Sequence, residues 1–242
     1  MIEEYKTEGF VFKKENRLEA DRVFSVFTKD FGRIEVVGKS IRKINSKLRG
    51  NIEIFSLSKI EFVQGKNKKT LIDAVLIEGF GNIKNSPEKL EIAYRISDVV
   101  EHFIRGQEKD EAIFDLLGDV FGKLSDFEKH ELIYLYFFWN FVSLLGHGPE
   151  LSKCSACDSE LDPECIYFSY KEGGIICINC YATKKDGVAI TSNNVKILRL
   201  FLKKDWGILL KLKIENSGLV SLAKVSHNYN SHLISNYSKI HD

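Results

Sequence analysis

The first eighty residues alternate between apolar and polar positions with the period of two that is typical of β-strands. Residues 5–14, for example, place Phe10 and Phe12 on one side of a strand and Val11 on the other. The pattern predicts five strands, at residues 5–14, 21–28, 33–37, 51–63 and 70–79. Five short strands in about 80 residues favour a small closed barrel over a sandwich, which usually needs about seven strands. The five-stranded oligonucleotide-binding (OB) barrel is the first candidate.

After residue 80 the apolar positions recur every three to four residues, which predicts helices. Ser86 followed by Pro87 has the composition of a helix start, and a second helix is predicted near Asp110. Ser125 and Glu128 resemble a capping box that begins a third helix. This third helix contains the most apolar stretch of the chain, whose 14 residues are too few for a bilayer span of roughly 20. Further helices are predicted after Thr191 and over about 217–235.

These patterns together predict an α+β fold with two domains. An OB-fold nucleic-acid-binding domain covers residues 1–80, and an α-helical domain covers residues 81–242. A zinc-binding segment at about 151–185 is predicted as an insertion in the helical domain.

Charge is distributed unevenly along the chain, although 35 Lys and Arg nearly balance 34 Asp and Glu. Residues 1–80 hold 16 basic and 12 acidic residues, whereas residues 81–153 hold 8 and 13. Within residues 29–49, seven basic residues face only two acidic ones. Such a stripe is typical of phosphate binding, and a solvated loop between strands is the alternative. The residues predicted to contact DNA are Arg33, Lys39, Arg42, Lys43, Lys47 and Arg49.

Two Cys-x-x-Cys pairs carry the clearest chemistry of the sequence. The four residues are Cys154, Cys157, Cys177 and Cys180. The 19 residues between the pairs fit the range of about 15–20 that is typical of a zinc site. Four thiolates complete a tetrahedron and leave no open position, which predicts one structural zinc per chain. A redox pair and two disulfides are the alternatives. The start of the chain shows no apolar signal region, which predicts a reducing, cytoplasmic location and disfavours disulfides.

No catalytic constellation is apparent in the sequence. The six His and the scattered Ser and Asp form no triad or zinc-protease motif. The stretch from Gly32 to Ser40 differs from a P-loop, because five residues rather than four separate its glycines. Cys165 and His147 are predicted to be bystanders of the metal site. An enzyme such as a zinc-containing nuclease or nucleotidyl-modifying protein is an alternative class, but it would need an open metal position or a carboxylate cluster, and four thiolates leave none.

The order of these features resembles the RecO family of bacterial recombination-mediator proteins. TEGFVFK resembles the first strand of the family, and FTKDFGRIEVVGKSIRKINSKLRG resembles its turn, strand and basic loop. SLLGHGPELSKCSACDSEL and FSYKEGGIICINC resemble its zinc segment, including the Gly-Gly pair before the second Cys pair. TSNNVKILRLFL and residues 228–233 are similar to its closing helices. The chain departs from the family pattern at residues 37–40 and at Phe138.

This resemblance implies a DNA repair and homologous-recombination mediator, that is, a binding protein with no catalytic residues, small-molecule substrate or membrane contact. Such proteins bind single- and double-stranded DNA, anneal complementary strands coated by single-strand binding protein, and help load recombinase. The implied partners are RecR and the acidic, apolar C-terminal tail of single-strand binding protein, and the implied location is the bacterial cytoplasm, in association with the nucleoid. A general RNA- or transcription-associated OB barrel with a zinc ribbon is the alternative, because such barrels bind either nucleic acid.

The helical part of the chain, residues 81–153 with 188–242, is predicted to offer that tail an apolar groove with a basic rim. The basic candidates are Arg95, Arg105, Lys196, Arg199, Lys203 and Lys204.

Overall fold

The computed structural model describes residues 3–241, with side chains described through residue 237. The chain separates into two compact units, Met1–Glu128 and Lys129–Asp242. No helix within residues 3–241 combines the length and the apolar character that a bilayer span requires.

The first unit contains a closed barrel. Its strands are β1 (Glu4–Arg17), β2 (Asp21–Thr28), β3 (Gly32–Gly38), β4 (Leu57–Gln64) and β5 (Lys69–Glu78). They follow one another around the barrel in the order β1-β2-β3-β5-β4. All neighbours are antiparallel except β3 and β5, whose short parallel pairing joins Val36 to Lys69 and Val37 to Thr70. The alternation of the sequence places Val11, Val26 and Ile60 inside. The predicted five-stranded OB barrel is confirmed.

Three helices complete the first unit. They are α1 (Gly81–Asn85), α2 (Pro87–Phe103) and α3 (Glu111–Asp126). Ser86 caps α2 with its side-chain oxygen, as predicted, and Asp110 caps α3, which begins where a helix was predicted. Phe10 and Phe12 lie on the outer face of β1 and pack against Phe121 of α3, with ring centroids 5.8 and 6.3 Å apart. Because β1 is buried on both faces, the compact unit continues to Glu128. The predicted domain boundary after residue 80 stays a prediction.

The predicted strand 51–63 is wrong in its first half, because β4 begins only at Leu57. Phe55 adopts a left-handed backbone conformation, with φ of 54°, which interrupts an extended strand. The hydroxyl of Ser56 donates a 2.6 Å hydrogen bond to the carbonyl of Glu53 and closes a turn instead. The apolar alternation there reflects buried side chains of a loop.

The predicted capping box at Ser125 is also wrong. Ser125 lies in the last turn of α3, and the following helix begins at His130. The buried ammonium of Lys89 donates a 2.9 Å hydrogen bond to the Ser125 carbonyl and lies 2.9 Å from the Glu128 carboxylate. Glu128 therefore pairs with Lys89, a partner that is distant in sequence.

The second unit is mainly helical. Its elements are α4 (His130–Leu144), β6 (Ile166–Ser169), β7 (Gly174–Cys177), α5 (Ile178–Lys184), β8 (Val188–Ala189), α6 (Ser192–Leu202), α7 (Trp206–Leu209) and α8 (Asn216–His241). The apolar helix α4 is buried from Leu132 to Val142. Its Trp139 stacks on Tyr229 of α8 at 5.5 Å and donates a 2.9 Å hydrogen bond to Ser226. The three short strands form a sheet in the order β7-β6-β8, and β7 ends at Cys177, the first residue of the second Cys pair.

Candidate nucleic-acid interface and metal centre

The segment between β3 and β4, residues 39–56, forms a loop that we call the basic loop. Ile41 and Ile52 anchor it in the barrel core, where they are 1% and 0% exposed. The loop exposes five of the six residues predicted to contact DNA, namely Lys39, Arg42, Lys43, Lys47 and Arg49. Its acidic residue, Glu53, is half-buried and paired with Lys14 at 2.5 Å. The apolar anchors thus hold a loop whose exposed charged side chains are all cationic.

The basic loop is tied to the turn between β1 and β2. The backbone N–H of Arg42 donates to the Ala20 carbonyl at 3.0 Å, and its guanidinium donates to the Glu19 carbonyl at 3.0 Å. The backbone N–H of Ser40 donates to the carboxylate of Asp21 at 2.7 Å. These contacts order the first part of the loop, so its cations project from a defined backbone.

Arg33, the sixth predicted residue, lies apart from the basic loop. It belongs to β3 and is half-buried. Its guanidinium donates to the Ser25 hydroxyl at 3.2 Å and lies 3.5 Å from the carboxylate of Glu101 in α2. Arg33 is therefore already paired with a carboxylate, whereas the guanidinium of Arg42 in the basic loop bonds a backbone carbonyl.

Arg33 lines a cleft of about 630 Å³ at the point where β3 and β5 meet. We call it the basic cleft. Five of its lining residues are cations, Arg17, Arg33, Lys68, Lys69 and Arg105, against the single carboxylate of Glu35. Three elements supply the cations besides β3: the end of β1, the β4–β5 turn with the start of β5, and the segment between α2 and α3. In OB barrels, this side with its β1–β2 and β4–β5 loops is the surface that binds oligonucleotides.

Arg17, Lys68 and Lys69 of the basic cleft are not among the residues predicted from the sequence to contact DNA. They do not form a charge run, because 50 positions separate Arg17 from the lysines and only the barrel closure brings them together. The sequence nevertheless contained a signal for Lys68 and Lys69. The turn Gly65–Lys68 precedes β5 and forms the β4–β5 loop, which OB barrels use to bind oligonucleotides. Arg105 was assigned to a partner groove, whereas the structure places it in the basic cleft.

Two aromatic residues near the stripe, Tyr5 and Phe31, pack within the barrel. Tyr5 stacks on Phe62 at 5.4 Å, and Phe31 meets the Tyr5 ring edge-on at 5.5 Å. Both side chains are partly buried and pack against the barrel core.

The residues predicted for partner contact belong to both compact units. Arg95 lies half-buried in α2. Lys196 and Arg199 are exposed on α6, and Lys203 and Lys204 follow its end. The guanidinium of Arg199 donates to the carbonyl of Leu151. A single groove with a rim formed by all six residues stays a prediction.

The four predicted metal ligands converge in the second unit. The sulfurs of Cys154, Cys157, Cys177 and Cys180 all lie within 4.8 Å of one another. The sulfurs of Cys157 and Cys177 are 3.9 Å apart. Four thiolates that bind zinc at about 2.3 Å are separated by about 3.8 Å in a tetrahedron, whereas a disulfide needs about 2.0 Å. The geometry therefore fits a tetrahedral metal ion.

Local backbone structure explains how each Cys pair folds around this centre. The first pair lies in a tight loop, in which the Asp158 N–H donates to the Cys154 carbonyl at 2.8 Å and Asp158 takes a φ of 59°. Cys177 ends β7, and Cys180 lies in the first turn of α5. The backbone N–H of Cys177 points at the Cys154 sulfur at 3.4 Å, a contact that stabilises a thiolate.

The glycine pair before the second Cys pair has a steric reason. Gly173 has a φ of 64°, and a Cβ on Gly174 would lie 2.5 Å from the carbonyl oxygen of Glu150. The close approach lets β7 pair with Glu150, just before the first Cys pair. The two halves of the metal segment are joined through this contact.

The cysteine thiols differ in their acidity. A hydrogen bond with Ser159 lowers the pKa of Cys157 to about 6, and the backbone N–H of Cys180 lowers the pKa of Cys177. A hydrogen bond with the sulfur of Cys157 raises the pKa of Cys180 to about 12, because the Cys180 thiol must keep its proton to donate. A bound cation stabilises the thiolate form of all four cysteines, so the donor set suits a divalent metal.

Little apolar material surrounds the centre. Ile176 and the cysteines Cys154 and Cys177 form its buried cluster, which Tyr167 and Tyr181 cover with rings stacked 3.7 Å apart. Cys165 is exposed and lies outside the group of four. His147 lies outside it too, and its ring nitrogen is 3.3 Å from the Tyr237 hydroxyl. With so small a core, a metal ion held by the four cysteines would stabilise the fold of the segment.

Comparisons with known proteins identify the family in which this arrangement occurs. Residues 1–80 match the family described as "Recombination protein O N terminal", and residues 84–239 match "Recombination protein O C terminal". A "DNA repair protein RecO" of Dehalococcoides mccartyi is 34% identical over 219 residues, which are 90% of this chain and 86% of the relative. The protein of that name from Acetivibrio thermocellus is 29% identical over 237 residues, 97% of this chain and 94% of the relative. An OB barrel, a helical unit and a four-Cys segment thus occur in a chain that belongs to the RecO family of DNA repair proteins.

Proposed function

We propose that this protein is a mediator of DNA repair and homologous recombination. In this proposal it binds single- and double-stranded DNA, anneals complementary strands coated by single-strand binding protein, and helps load recombinase. Membership of the RecO family supports a role in DNA repair. The observation that carries the proposal is the pair of cationic surfaces on one barrel, the basic loop and the basic cleft.

The chemistry of these surfaces suits annealing. Their side chains are Lys and Arg, whose contacts with phosphates carry no sequence information. A protein that holds two strands by their phosphates neutralises their mutual repulsion and leaves the base edges free to pair. Tyr5 and Phe31 pack within the barrel, so binding is expected to depend mainly on charge.

The proposed protein partners are RecR and the C-terminal tail of single-strand binding protein. An acidic tail complements the exposed cations of α6 and its end, Lys196, Arg199, Lys203 and Lys204. The relatives described above come from bacteria, and we propose that this protein acts in the bacterial cytoplasm, at the nucleoid.

The metal of the four-Cys centre is proposed to be one structural zinc per chain. Sulfur ligands in a tetrahedral arrangement favour zinc over Mg²⁺ or Ca²⁺, which prefer oxygen. Four thiolates leave no coordination position for water or substrate, which supports a binding protein without catalytic residues.

Strand annealing tests the proposal directly. Complementary oligonucleotides are coated with the cognate single-strand binding protein, and pairing is followed by fluorescence after the wild-type protein is added. We expect rapid annealing by the wild type and slow annealing by Arg17→Glu with Lys69→Glu, which reverses two charges of the basic cleft. A matched control, Lys171→Glu with Lys224→Glu, changes two exposed lysines of the second unit and should anneal like the wild type.

Two outcomes contradict the proposal. Annealing that is no faster with the protein than without it contradicts a mediator role. Tighter binding to RNA than to DNA of the same sequence, measured by anisotropy, favours the RNA- or transcription-associated alternative instead.

A further inference from the structure

The four cysteines of the metal centre differ in their exposure to water. Cys154 and Cys177 are buried and Cys180 is half-buried, whereas Cys157 is exposed. Four thiolates around one divalent ion leave an excess of negative charge on the sulfurs, which hydrogen-bond donors offset. The sulfur of Cys157 therefore needs donors that reach it at the protein surface.

Ser159 supplies such donors. Its hydroxyl lies 3.2 Å from the Cys157 sulfur, and its backbone N–H also bonds that sulfur. The same hydroxyl forms a hydrogen bond with the sulfur of Cys177. Cys157 belongs to the first Cys pair and Cys177 to the second, and their sulfurs are 3.9 Å apart. One side chain outside the group of four thus contacts both halves of the metal centre.

The backbone of Ser159 is held independently of its hydroxyl. Its carbonyl accepts a 2.9 Å hydrogen bond from the Cys154 N–H, and Asp158 before it takes a φ of 59°, which closes the turn. The Asp158 carboxylate also pairs with the ammonium of Lys153. Because these contacts do not involve the Ser159 hydroxyl, its removal should change the surroundings of the sulfurs and leave the turn folded.

Other serines of the same loop make a different kind of contact. The hydroxyl of Ser152 donates to the carboxylate of Glu150 at 2.5 Å, and that of Ser155 donates to the carbonyl of Ile175 at 3.0 Å. Both stabilise the backbone of the loop. The Ser159 hydroxyl is directed at sulfur instead, and a hydroxyl beside a thiolate can only act as the donor.

We propose that Ser159 is a positioning residue of the metal centre. Its hydroxyl donates to the thiolate of Cys157, holds that sulfur beside the sulfur of Cys177, and shields an exposed ligand from protons and electrophiles. Groups that hydrogen-bond to metal ligands commonly change metal affinity 10- to 100-fold. The inference rests on the proposed function in one respect, the metal ion of the four-Cys centre.

Metal release from the full-length protein tests the inference. The protein is loaded with zinc or with Co²⁺, whose absorption bands report on its sulfur ligands, and release is followed with a chromogenic chelator. We expect Ser159→Ala to shift the Co²⁺ bands and to release zinc about tenfold faster than the wild type. Ser159→Thr keeps the hydroxyl and should behave like the wild type. Ser152→Ala, the matched control on the same loop, should do so too.

Cysteine labelling adds a second readout with an internal control. Cys165 is exposed and lies outside the group of four. The zinc-loaded protein is treated with iodoacetamide, and mass spectrometry compares the labelling of Cys157 with that of Cys165. Ser159→Ala should raise the labelling rate of Cys157 about tenfold and leave that of Cys165 unchanged.

Three outcomes contradict the inference, and they are distinguishable. Equal metal release and equal labelling of Cys157 in the wild type and Ser159→Ala overturn it and leave the proposed metal intact. A loss of metal that Ser159→Thr shares assigns the effect to packing and not to the hydroxyl, and also overturns it. A wild-type protein that binds neither zinc nor Co²⁺ contradicts the metal of the proposed function and the inference together.

Discussion

Replacing Arg42 and Lys43 with Glu removes two of the five exposed cations of the basic loop. The folded structure should tolerate the change, because both side chains are exposed and the backbone N–H of Arg42 keeps its bond to the Ala20 carbonyl. Ile41 and Ile52, which anchor the loop, are untouched. A change in DNA binding then reports on charge and not on unfolding, and an unchanged thermal transition serves as the check.

The expected change in the salt dependence of DNA binding follows from the release of counterions. Each phosphate contact contributes about −0.7 to the slope of log affinity against log salt on single strands, and about −0.9 on duplex. If four of the five loop cations contact phosphates, the loop contributes a slope of roughly −3 on single strands. Losing two contacts brings this contribution to about −1.4. Raising the salt from 50 to 200 mM should therefore reduce the loop's contribution to affinity about 50-fold in the wild type. In the variant the same change should reduce it only about 7-fold.

Anisotropy titrations of labelled oligonucleotides at several salt concentrations measure both affinity and slope. We expect Arg42→Glu with Lys43→Glu to weaken all sequences alike, since the loop contacts phosphates and not bases. Lys171→Glu with Lys224→Glu carries the same change in charge, and should keep the wild-type slope. An equal affinity and an equal slope for the wild type and the loop variant would mean that the basic loop is only a solvated connection, and the reasoning would be refuted.

Further predictions concern the metal centre and the core. Elemental analysis should find one zinc per chain, and Cys154→Ser should lower the metal content and the thermal stability more than the affinity for DNA; well under one metal in the wild type contradicts this. Acidification from pH 7 to pH 5 should release the metal, as measured with a chromogenic chelator, because protons compete with it for the thiolates. Phe121→Ala should reduce the free energy of unfolding by about 3–5 kcal/mol in urea titrations, because the ring is 1% exposed and packs against Phe10. Gly174→Ala should destabilise the second unit, because its Cβ would lie 2.5 Å from the Glu150 carbonyl, and unchanged melting would contradict the steric argument.

Local sequence patterns were sufficient to predict much of the fold. Alternation identified the strands of the barrel, and Ser86 and Asp110 were recognised as helix starts, because caps and strand faces depend on neighbours within a few residues. The spacing of the two Cys pairs identified the four-sulfur cluster for the same reason, since each pair forms its own turn. The exposed cations of the basic loop lie in one contiguous stretch and could be predicted directly.

Only the tertiary structure decided the features that depend on residues distant in sequence. The pairing of β3 with β5 brings Arg17 and Lys69 to one cleft, which no charge run reveals. Lys89 pairs with Glu128 across 39 positions, and this pairing replaced the predicted capping box. Asn194 of α6 is 1% exposed because its side chain lies against Gly218 of α8, a contact that forms only when the two helices pack together. Sequence patterns report which residues are near along the chain, whereas a binding surface is formed by residues that folding brings together in space.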